Sequence, residues 1–309
     1  MKYDMICAGM ALIDSIIKGF DKNPVSASGY RAQSGTLNIG GEAVNEAITA
    51  ARLGMNCSIM CSLANDSAGD MIKACLEANN VDTSLILYRN EPPTPVTTMF
   101  VNDDGTRKSV TTKAHTFNFR PDEHISDLTD TKALLLGSLF RAPFDDPDII
   151  NKVIKEASGA GVLIFADTKL PNFRKLTLDD IKDCLPYIDF ITPNEDEARY
   201  YSGMTEPEKM ADVFLGYGIK NVIIKLGSKG CYFKNSEVAF HLDAFNIDAV
   251  DATGAGDSFV AGLASQIING SPVREAVRFA NACGAICTTA VGATTAIKDI
   301  YQIREFLER

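Results

Sequence analysis

The chain has 309 residues, of which 46% are hydrophobic and 23% charged, so it can build a sizeable core and does not have the composition of a disordered protein. The formal net charge of −10 argues against a nucleic-acid or anionic-membrane partner. An anionic ligand would therefore need local amides, lysines or metal ions. The chain has no run of about 18 apolar residues, no export signal at its N-terminus and no C-x-x-C pair, and these features predict a cytoplasmic protein with free cysteines.

Strand and helix patterns alternate along most of the chain. Residues 3–8 have the pattern of a strand, residues 43–54 that of a helix with Val44, Ala47 and Ile48 on one face, and residues 57–63 that of a second strand. From about residue 130, the apolar runs ALLLGSLF, GVLIFADT, DFITPN and NVIIKLG alternate with segments of helical spacing. Continuous apolar strands between helices indicate an α/β fold with a parallel sheet that is covered on both faces.

Two segments interrupt this alternation. Residues 15–38 and 94–116 are rich in Thr and Val, and the second contains a D-D-G-T turn at 103–106. They predict antiparallel strands that project from the main sheet, and they are too small and too discontinuous to form a core of their own. We therefore expect a single domain over residues 1–309 with a discontinuous β lid. Short β segments outside a core often pair between protomers, so a homodimer joined through the lids is a further expectation.

The stretch DATGAGDSFVAGL, residues 251–263, places a glycine-rich loop in front of a helix. Such a loop favours phosphate, because the N–H groups of a first helical turn attract anions. The pattern G-x-x-x-x-G-K-[ST] is absent, which argues against a P-loop enzyme, and Phe259 stands where a dinucleotide-binding loop has its third glycine. Asp257 is then the candidate functional acid; an ordinary first-turn helix acid is the alternative.

This stretch resembles the C-terminal signature of the ribokinase-like (PfkB) carbohydrate kinase family. The segment IGGEAVNEAITAARLG resembles the N-terminal signature of that family, through Gly40, Gly41, Asn45 and Ala47. Between them, TPNEDEA supplies the N-x-x-E of the family, and IIKLGSKGCYF supplies its nucleotide-side strand and turn. The two signatures lie more than two hundred residues apart in the expected order, so the resemblance covers almost the whole chain.

The resemblance implies a three-layer α/β/α sandwich with a mostly parallel sheet and a small β lid. It also implies transfer of the γ-phosphoryl group of ATP to a sugar hydroxyl, with Mg²⁺ as cofactor. A nucleoside kinase of the same fold is the alternative within the class. A sugar- or nucleotide-binding regulator without catalytic activity is the alternative from a different class.

The resemblance assigns the catalytic chemistry to the loop and first turn at residues 254–257. Asp257 would accept the proton of the attacking hydroxyl, and the amides of Gly254, Ala255 and Gly256 would form an anion hole for the transferring group. A helix N-terminus stabilises an ionised carboxylate, so we expect Asp257 to be a weak base.

The acceptor side of the site is expected near the N-terminus. Asp14 would accept from sugar hydroxyls, Gly40 and Gly41 would bring the backbone close to the sugar, and Asn45 can both donate and accept. A surface aspartate and an ordinary N-terminal helix asparagine are the alternatives for Asp14 and Asn45.

The nucleotide side is expected in the second half of the chain. Asn194 and Glu197 resemble the residues that organise Mg²⁺ through water together with the nucleotide phosphates, and a simple helix cap after Pro193 is the alternative. Asp251 lies where several family members bind a monovalent cation, which makes K⁺ activation a hypothesis. The remaining nucleotide candidates are Lys225, Gly227, Gly230 and Asn281.

Two basic residues have no role assigned by the sequence. Many sugar kinases continue the strand GVLIFADT with Pro-Asn after the aspartate, whereas this chain has Asp167-Thr168-Lys169. Lys169 at this strand end could contact a phosphate of ATP or of an anionic acceptor, and a solvated surface lysine is the alternative. Arg107 on the lid could reach an acceptor, although surface exposure is the simpler interpretation.

Overall fold

A computed structural model describes residues 1–19, 31–102, 106–112, 119–142 and 144–308, with the side chain of Arg107 outside the described part. The strands are β1 Tyr3–Ala8, β2 Leu12–Lys18, β3 Ser34–Gly40, β4 Cys57–Met60, β5 Ser62–Ala64, β6 Leu87–Arg89, β7 Val96–Val101, β8 Arg107–Thr111, β9 Thr131–Leu139, β10 Leu163–Thr168, β11 Phe190–Ile191, β12 Asn221–Lys225, β13 Cys231–Asn235 and β14 Ala239–Leu242. The α-helices are α1 Glu42–Arg52, α2 Ser67–Ala78, α3 Ile125–Leu128, α4 Pro147–Gly159, α5 Glu195–Ser202, α6 Pro207–Gly216, α7 Ala255–Ile268, α8 Val273–Cys287 and α9 Ile300–Leu307.

The centre of the fold is an eight-stranded sheet in the order β14-β13-β12-β11-β10-β9-β1-β4. The six strands from β12 to β4 pair in parallel, and β13 and β14 close one edge as an antiparallel meander. Side chains of each strand alternate between two cores: Leu134 and Leu136 of β9 pack with α4 and α6, whereas Ala133 and Leu135 pack with α1, α7 and α8. The expected α/β fold with a mostly parallel, doubly covered sheet is confirmed.

A separate four-stranded sheet, β3-β2-β7-β8, forms the lid. The predicted lid segments 15–38 and 94–116 were close, but β2 begins at Leu12 and β3 extends to Gly40, so both strands reach the core. Within each predicted segment the strands are antiparallel, as expected, since β2 pairs with β3 and β7 pairs with β8. The two segments are joined by a parallel pairing of β2 with β7, which the sequence did not predict. This pairing joins two strands that are distant in the chain, and local periodicity carries no information about it. Residues 103–105 of the predicted turn lie outside the described residues.

Two other predicted strands differ from the structure. The run at 57–63 divides into β4, in the central sheet, and β5, which pairs with β6 in a small separate sheet. The run DFITPN yields only two strand residues, Phe190 and Ile191, because Pro193 lacks the amide hydrogen needed to continue the ladder. Among the described helices, none combines the length and apolar character that crossing a bilayer demands.

Candidate active site

The candidate site lies at the carboxyl edge of the parallel strands. Asp167 is the next-to-last residue of β10, Asn194 follows β11 and Lys225 ends β12, while Asp14 lies near the start of β2, the lid strand that comes after β1 in the chain. Parallel strands bring their carboxyl ends to one edge of a sheet, and open α/β folds bind ligands there. The N-terminus of α7, with Asp257 in its first turn, faces the same edge.

A cleft of about 880 Å³ runs along this edge and collects most of the residues predicted from the sequence. One end of the cleft is lined by residues after β1 and at the start of α1. The other end is lined by the turn after β12 and by residues in the C-terminal half of α8. The predicted residues that line it are Asp14, Gly41, Asn45, Asn194, Glu197, Lys225, Gly227, Gly230, Gly254, Ala255, Gly256, Asp257 and Asn281. Gly40 and Asp251 are the predicted residues outside this lining.

Asp257 is buried in the middle of the cleft. Its Oδ2 accepts a hydrogen bond of 2.7 Å from Nδ2 of Asn45, which joins the two signature motifs across 212 residues. Burial raises the pKa of Asp257 to about 6, the ammonium of Lys169 opposes that rise, and the carboxylates of Glu42 and Asp167 add to it. The expectation of a weak base was wrong in direction, because loss of hydration outweighs the helix N-terminus. Asp257 is therefore a stronger base than an exposed aspartate.

The loop in front of α7 has the geometry of an anion-binding turn. Gly254 is the N-cap residue with a φ of 79°, and a side chain there would collide with Ala293. The amide of Ala255 donates to the carbonyl of Ala252 at 3.2 Å, whereas the amides of Gly254 and Gly256 have no acceptor among the described residues. A Cβ on Gly256 would lie 3.1 Å from Nζ of Lys225, so this loop has both free amides and an adjacent cation.

The acceptor candidates meet where the lid joins the core. Asp14 is part of β2 and therefore belongs to the lid, while Asn45 lies in α1 of the core. Gly40, paired with Leu12 in the neighbouring strand, has no room for a side chain because a Cβ would contact Oδ2 of Asp14. Gly41 is the N-cap residue of α1 and has a φ of 103°, a conformation that favours glycine.

Asn194 and Glu197 form a capping box at the start of α5. The side chain of Asn194 accepts from the amide of Glu197, and the amide of Asn194 donates to Oε2 of Glu197, both at 2.9 Å. The hydroxyl of Thr168 donates to the same Oε2 at 3.0 Å. Both of these hydrogen bonds to the Glu197 carboxylate are accepted by Oε2. Glu197 can therefore belong to the helix cap and still act as a ligand.

The nucleotide candidates surround the far end of the cleft. Lys225 pairs with Oδ1 of Asp167 at 2.5 Å, and Asn281 donates to the carbonyl of Asp243 at 2.9 Å. Gly227 and Gly230 shape the turn between β12 and β13, and a side chain on Gly230 would collide with Leu242. Phe245, Asn246 and Ile247 supply further lining at this end that the sequence did not predict.

Asp251 links two loops rather than lining the cleft. Its Oδ1 accepts from the amide and hydroxyl of Thr253, and its Oδ2 accepts from the amide of Gly292 at 2.9 Å. The carbonyl of Thr288 accepts from the amides of both Val250 and Asp251. The K⁺ hypothesis stays a prediction, and the carboxylate has a structural role in holding the loop before α7.

A buried group of charges lies behind Asp257. Carboxylate oxygens of Glu46, Asp167 and Asp257 come within 4.8 Å of one another, and among the described residues neither oxygen of Glu46 has a hydrogen-bond partner. Burial, together with Asp257 and Asp167, raises the pKa of Glu46 well above its usual value. Lys225 and Lys169 supply positive charge beside this group. Glu46 therefore adds a third buried carboxyl group beside Asp167 and Asp257, and its raised pKa follows from its burial and from these two neighbours.

Lys169 is not a solvated surface lysine. Its ammonium lies 3.7 Å from Oε1 of Glu42 and 3.9 Å from Oδ2 of Asp167, and its side chain is 25% exposed. Burial lowers its pKa, but the carboxylates of Asp257, Glu42 and Asp167 outweigh that effect and hold it above the usual value. Lys169 therefore remains charged inside the cleft.

Sequence reasoning missed three acids in this region: Glu42, Glu46 and Asp167. The position of Asp167 at the carboxyl end of a parallel strand was a usable signal. Glu46 follows Asn45 inside the quoted motif, at a helix position where an apolar residue would ordinarily face the core. No sequence pattern indicated its contact with Asp257.

The fold is that of ribokinase. An Arabidopsis thaliana ribokinase complexed with ribose and ATP superposes with a TM-score of 0.87 at 24% identity, covering 100% of both chains. An Escherichia coli protein described as a putative ribokinase II in complex with ATP and Mg²⁺ gives a TM-score of 0.81 at 26% identity, covering 99% of both chains. These similarities define the class as a ribokinase-like kinase fold.

Sequence comparison gives the family. The profile described as pfkB family carbohydrate kinase matches residues 6–300, and the chain therefore belongs to this family. A probable fructokinase-3 from Arabidopsis thaliana is 29% identical over 287 residues, covering 87% of this chain and 82% of the relative. A ribokinase from Staphylococcus aureus is 27% identical over 278 residues, covering 86% and 87%. The chain is a carbohydrate kinase of the ribokinase and fructokinase type, a phosphotransferase with an alcohol group as acceptor.

Proposed function

We propose that this enzyme transfers the γ-phosphoryl group of ATP to a hydroxyl of a small sugar, with Asp257 as the general base. The supporting observation is the position of Asp257, which lies in one cleft between Asp14 at one end and the Lys225 turn at the other. A carboxylate there can reach an acceptor hydroxyl while the adjacent loop binds the transferring group. The ribokinase relatives with bound ATP support ATP as the donor.

The residues divide the reaction between them. Asp14, Asn45 and the backbone at Gly40 and Gly41 orient the sugar so that one hydroxyl faces Asp257. In a loose, metaphosphate-like transition state the hydroxyl proton becomes acidic late, so a positioned carboxylate with a pKa of about 6 accepts it readily.

The anion hole stabilises the charge on the transferring group. The free amides of Gly254 and Gly256 serve as its donors, with Ala255 fixing the turn between them. The ammonium of Lys225 adds positive charge beside Gly256. Removing one such preorganised donor typically costs about 3–4 kcal/mol of transition-state stabilisation.

The donor set near Glu197 fits Mg²⁺. Mg²⁺ prefers oxygen ligands and keeps several waters, and Glu197 has its recorded hydrogen bonds on one oxygen only, which leaves the other for a metal-bound water. When bound, Mg²⁺ would neutralise charge on the nucleotide phosphates. Asn194 would hold Glu197 in place through the capping box, and K⁺ near Asp251 is a second proposed ion.

The first test is ADP release on addition of a panel of sugars and nucleosides. The sugar proposal predicts that a sugar gives the highest kcat/KM, and a nucleoside with the highest value would favour the alternative kinase. Asp257→Asn removes the base while keeping the side-chain shape, so we expect kcat to fall about 10²–10⁴-fold.

A matched control is Asp70→Asn, which changes an exposed first-turn aspartate of α2 outside the cleft. We expect this variant to keep wild-type kcat. Retention of most activity by Asp257→Asn would remove Asp257 as the base, and a regulator without catalytic activity would release no ADP with any compound.

A further inference from the structure

Two lysines line the described part of the cleft, and their ammonium groups differ in their contacts. Lys225 donates to Oδ1 of Asp167 at 2.5 Å, which is a close, charge-assisted hydrogen bond. Lys169 lies 3.9 Å from Oδ2 of the same aspartate and 3.7 Å from Oε1 of Glu42. Both of these separations exceed the length of a hydrogen bond. Among the described residues, the ammonium of Lys169 therefore has charged neighbours but keeps N–H groups that a ligand can use.

The main chain of Lys169 is held in place directly after β10. Its amide donates to the carbonyl of Leu139 on the neighbouring strand at 3.0 Å, and its carbonyl accepts from the hydroxyl of Tyr201 at 2.6 Å. The ring of Tyr201 packs against that of Phe140, with the ring centroids 4.4 Å apart. The side chain lines the cleft and is 25% exposed. A fixed backbone limits where the ammonium can go, while the cleft gives a ligand access to it.

The ammonium of Lys169 lies beside the proposed base. Burial lowers the pKa of Lys169, but the carboxylate of Asp257 is the strongest of the charges that raise it. Burial raises the pKa of Asp257, and Lys169 is the strongest charge that acts on it. The loop of Gly254 to Gly256 directly precedes this aspartate. A phosphoryl group that is bound by the loop and transferred to a hydroxyl at Asp257 therefore comes close to the ammonium of Lys169.

Proton transfer changes the charges around Lys169 during the proposed reaction. The acceptor oxygen forms a bond to the γ-phosphorus, the bond from that phosphorus to the bridging oxygen breaks, and ADP leaves with the electron pair. The proton of the hydroxyl passes to Asp257. Protonated Asp257 no longer offsets the ammonium, while the transferring group carries charge on its three equatorial oxygens. The attraction between Lys169 and this group thus increases as the proton moves, and an interaction that strengthens toward the transition state accelerates the reaction.

We infer that Lys169 is a further catalytic residue of the proposed kinase reaction, whose ammonium donates hydrogen bonds to the transferring phosphoryl group together with the loop amides. The assignment depends on the proposed function of the chain. Asp167 binds Lys225 through one carboxylate oxygen and lies near Lys169 with the other, so it sets the spacing of the two ammonium groups. Lys169 thereby gains a role that the sequence did not assign to it.

The alternative is that Lys169 acts only through Asp257, by favouring its ionised form. The two roles differ at a pH well above the pKa of the base. At about pH 9 the carboxyl of Asp257 is ionised with or without the lysine, so a residue that only adjusts the base is then dispensable. A hydrogen-bond donor to the phosphoryl group is needed at every pH.

The test is kcat at about pH 9 with the sugar that gives the highest kcat/KM. We expect Lys169→Met to lower kcat about 100-fold, as the loss of one preorganised donor does, with little change in the KM for ATP. Lys169→Arg retains the charge and the N–H groups and should stay within about tenfold of wild type. Recovery of wild-type kcat by Lys169→Met at this pH would overturn the inference, as would a raised KM with unchanged kcat.

The matched control is Lys73→Met on α2. Lys73 lies 3.7 Å from Oε1 of Glu77, the same separation that joins Lys169 to Glu42, but its side chain is 44% exposed and outside the cleft lining. We expect this variant to keep wild-type kcat at the same pH, which shows that loss of an ion pair alone has no effect on turnover.

Binding of a transition-state analogue separates this inference from the proposed function. ADP with fluoroaluminate, Mg²⁺ and the sugar mimics the transferring group and requires no turnover. We expect Lys169→Met to bind ADP alone as wild type does and to bind the fluoroaluminate complex at least about tenfold more weakly. Equal binding of the analogue by the two proteins would overturn the role of Lys169 and leave the kinase proposal intact. Absence of ADP release by wild type with every compound would instead overturn the kinase proposal, and the role of Lys169 with it.

Discussion

Asp257 is buried, yet in the proposed mechanism it receives a proton from a ligand in the cleft. Burial raises its pKa to about 6, and the largest opposing influence is the ammonium of Lys169. Asp14 also has a raised pKa of about 6, but its causes are burial and Glu42 rather than Lys169. The two titrations overlap in the wild type and respond differently to a change at residue 169.

We predict that kcat/KM rises with pH through about 6 as the base ionises. Lys169→Met removes the cation that favours ionised Asp257, so the acidic limb should move to higher pH by about one unit or more. Lys169→Arg retains the charge and should stay near the wild-type profile. An unmoved limb in Lys169→Met would assign the titration to Asp14 instead. The measurement is kcat/KM against pH for the three proteins.

Glu46 predicts a pH-dependent stability. Its pKa is raised in the folded protein, so above the unfolded value of about 4.3 the unfolded chain loses a proton that the folded chain keeps. This difference destabilises the fold increasingly as pH rises. Glu46→Gln removes the titration. The free energy of unfolding of this variant relative to wild type should therefore increase with pH above the unfolded pKa, by up to about 1.4 kcal/mol per pH unit, until Glu46 ionises in the folded protein.

Denaturant unfolding at several pH values measures the effect of Glu46→Gln. Glu156→Gln changes an exposed glutamate of α4 and should give a difference from wild type that is flat with pH. A flat difference for Glu46→Gln as well would mean that Glu46 is ionised in the folded protein.

At the scale of single elements, one asparagine at the start of α5 has two candidate roles, as a helix cap and as a nucleotide ligand. Asn194 caps the helix and lies in the cleft lining. Serine is about as good an N-cap as asparagine, whereas alanine is much poorer. Substitution by these two residues therefore separates stability from nucleotide binding.

We predict that Asn194→Ala lowers the free energy of unfolding by about 1 kcal/mol and that Asn194→Ser stays near wild type. If Asn194 also organises the phosphates, both variants raise the KM for ATP. Thermal unfolding and ATP titration measure the two effects. A wild-type KM in Asn194→Ser would limit the residue to its capping role.

The elements that the sequence predicted best are those with a strong local pattern. α1 lies where the apolar spacing indicated a helix, and α7 begins directly after the glycine-rich loop, as expected. The parallel pairing of β2 with β7 depends on residues about 80 positions apart, which no local pattern records. The approach of Glu46 and Asp167 to Asp257 likewise results from packing between distant segments. Residue types predicted which groups were available, and the fold determined which of them meet.

At the scale of the whole molecule, the lid sheet leaves apolar side chains in solvent. Leu37 is 59% exposed and Val110 is 65% exposed, on strands β3 and β8 at the two edges of that sheet. The homodimer through the lids is a proposal, as is a single catalytic domain over residues 1–309. Pairing between two lids would cover such side chains and satisfy an open strand edge.

We predict a dimeric mass in light scattering at micromolar concentration. Leu37→Lys combined with Val110→Lys adds charge to both edges and should shift the equilibrium to monomer, since charged edge residues oppose strand pairing. Met71→Lys on the exposed face of α2 is the matched control and should remain dimeric. A monomeric wild type would end the proposal.

The position of Asp14 on the lid has a consequence for how such an enzyme can change. Asp14, the proposed acceptor-binding acid, belongs to the small sheet, whereas the proposed base Asp257 and the loop before it belong to α7, which packs on the large sheet. Insertions or exchanges within the small sheet can therefore alter which alcohol is accepted without disturbing the handling of the nucleotide. Part of the proposed acceptor site is thus supported separately from the nucleotide site, and new acceptors can arise by remodelling that part alone.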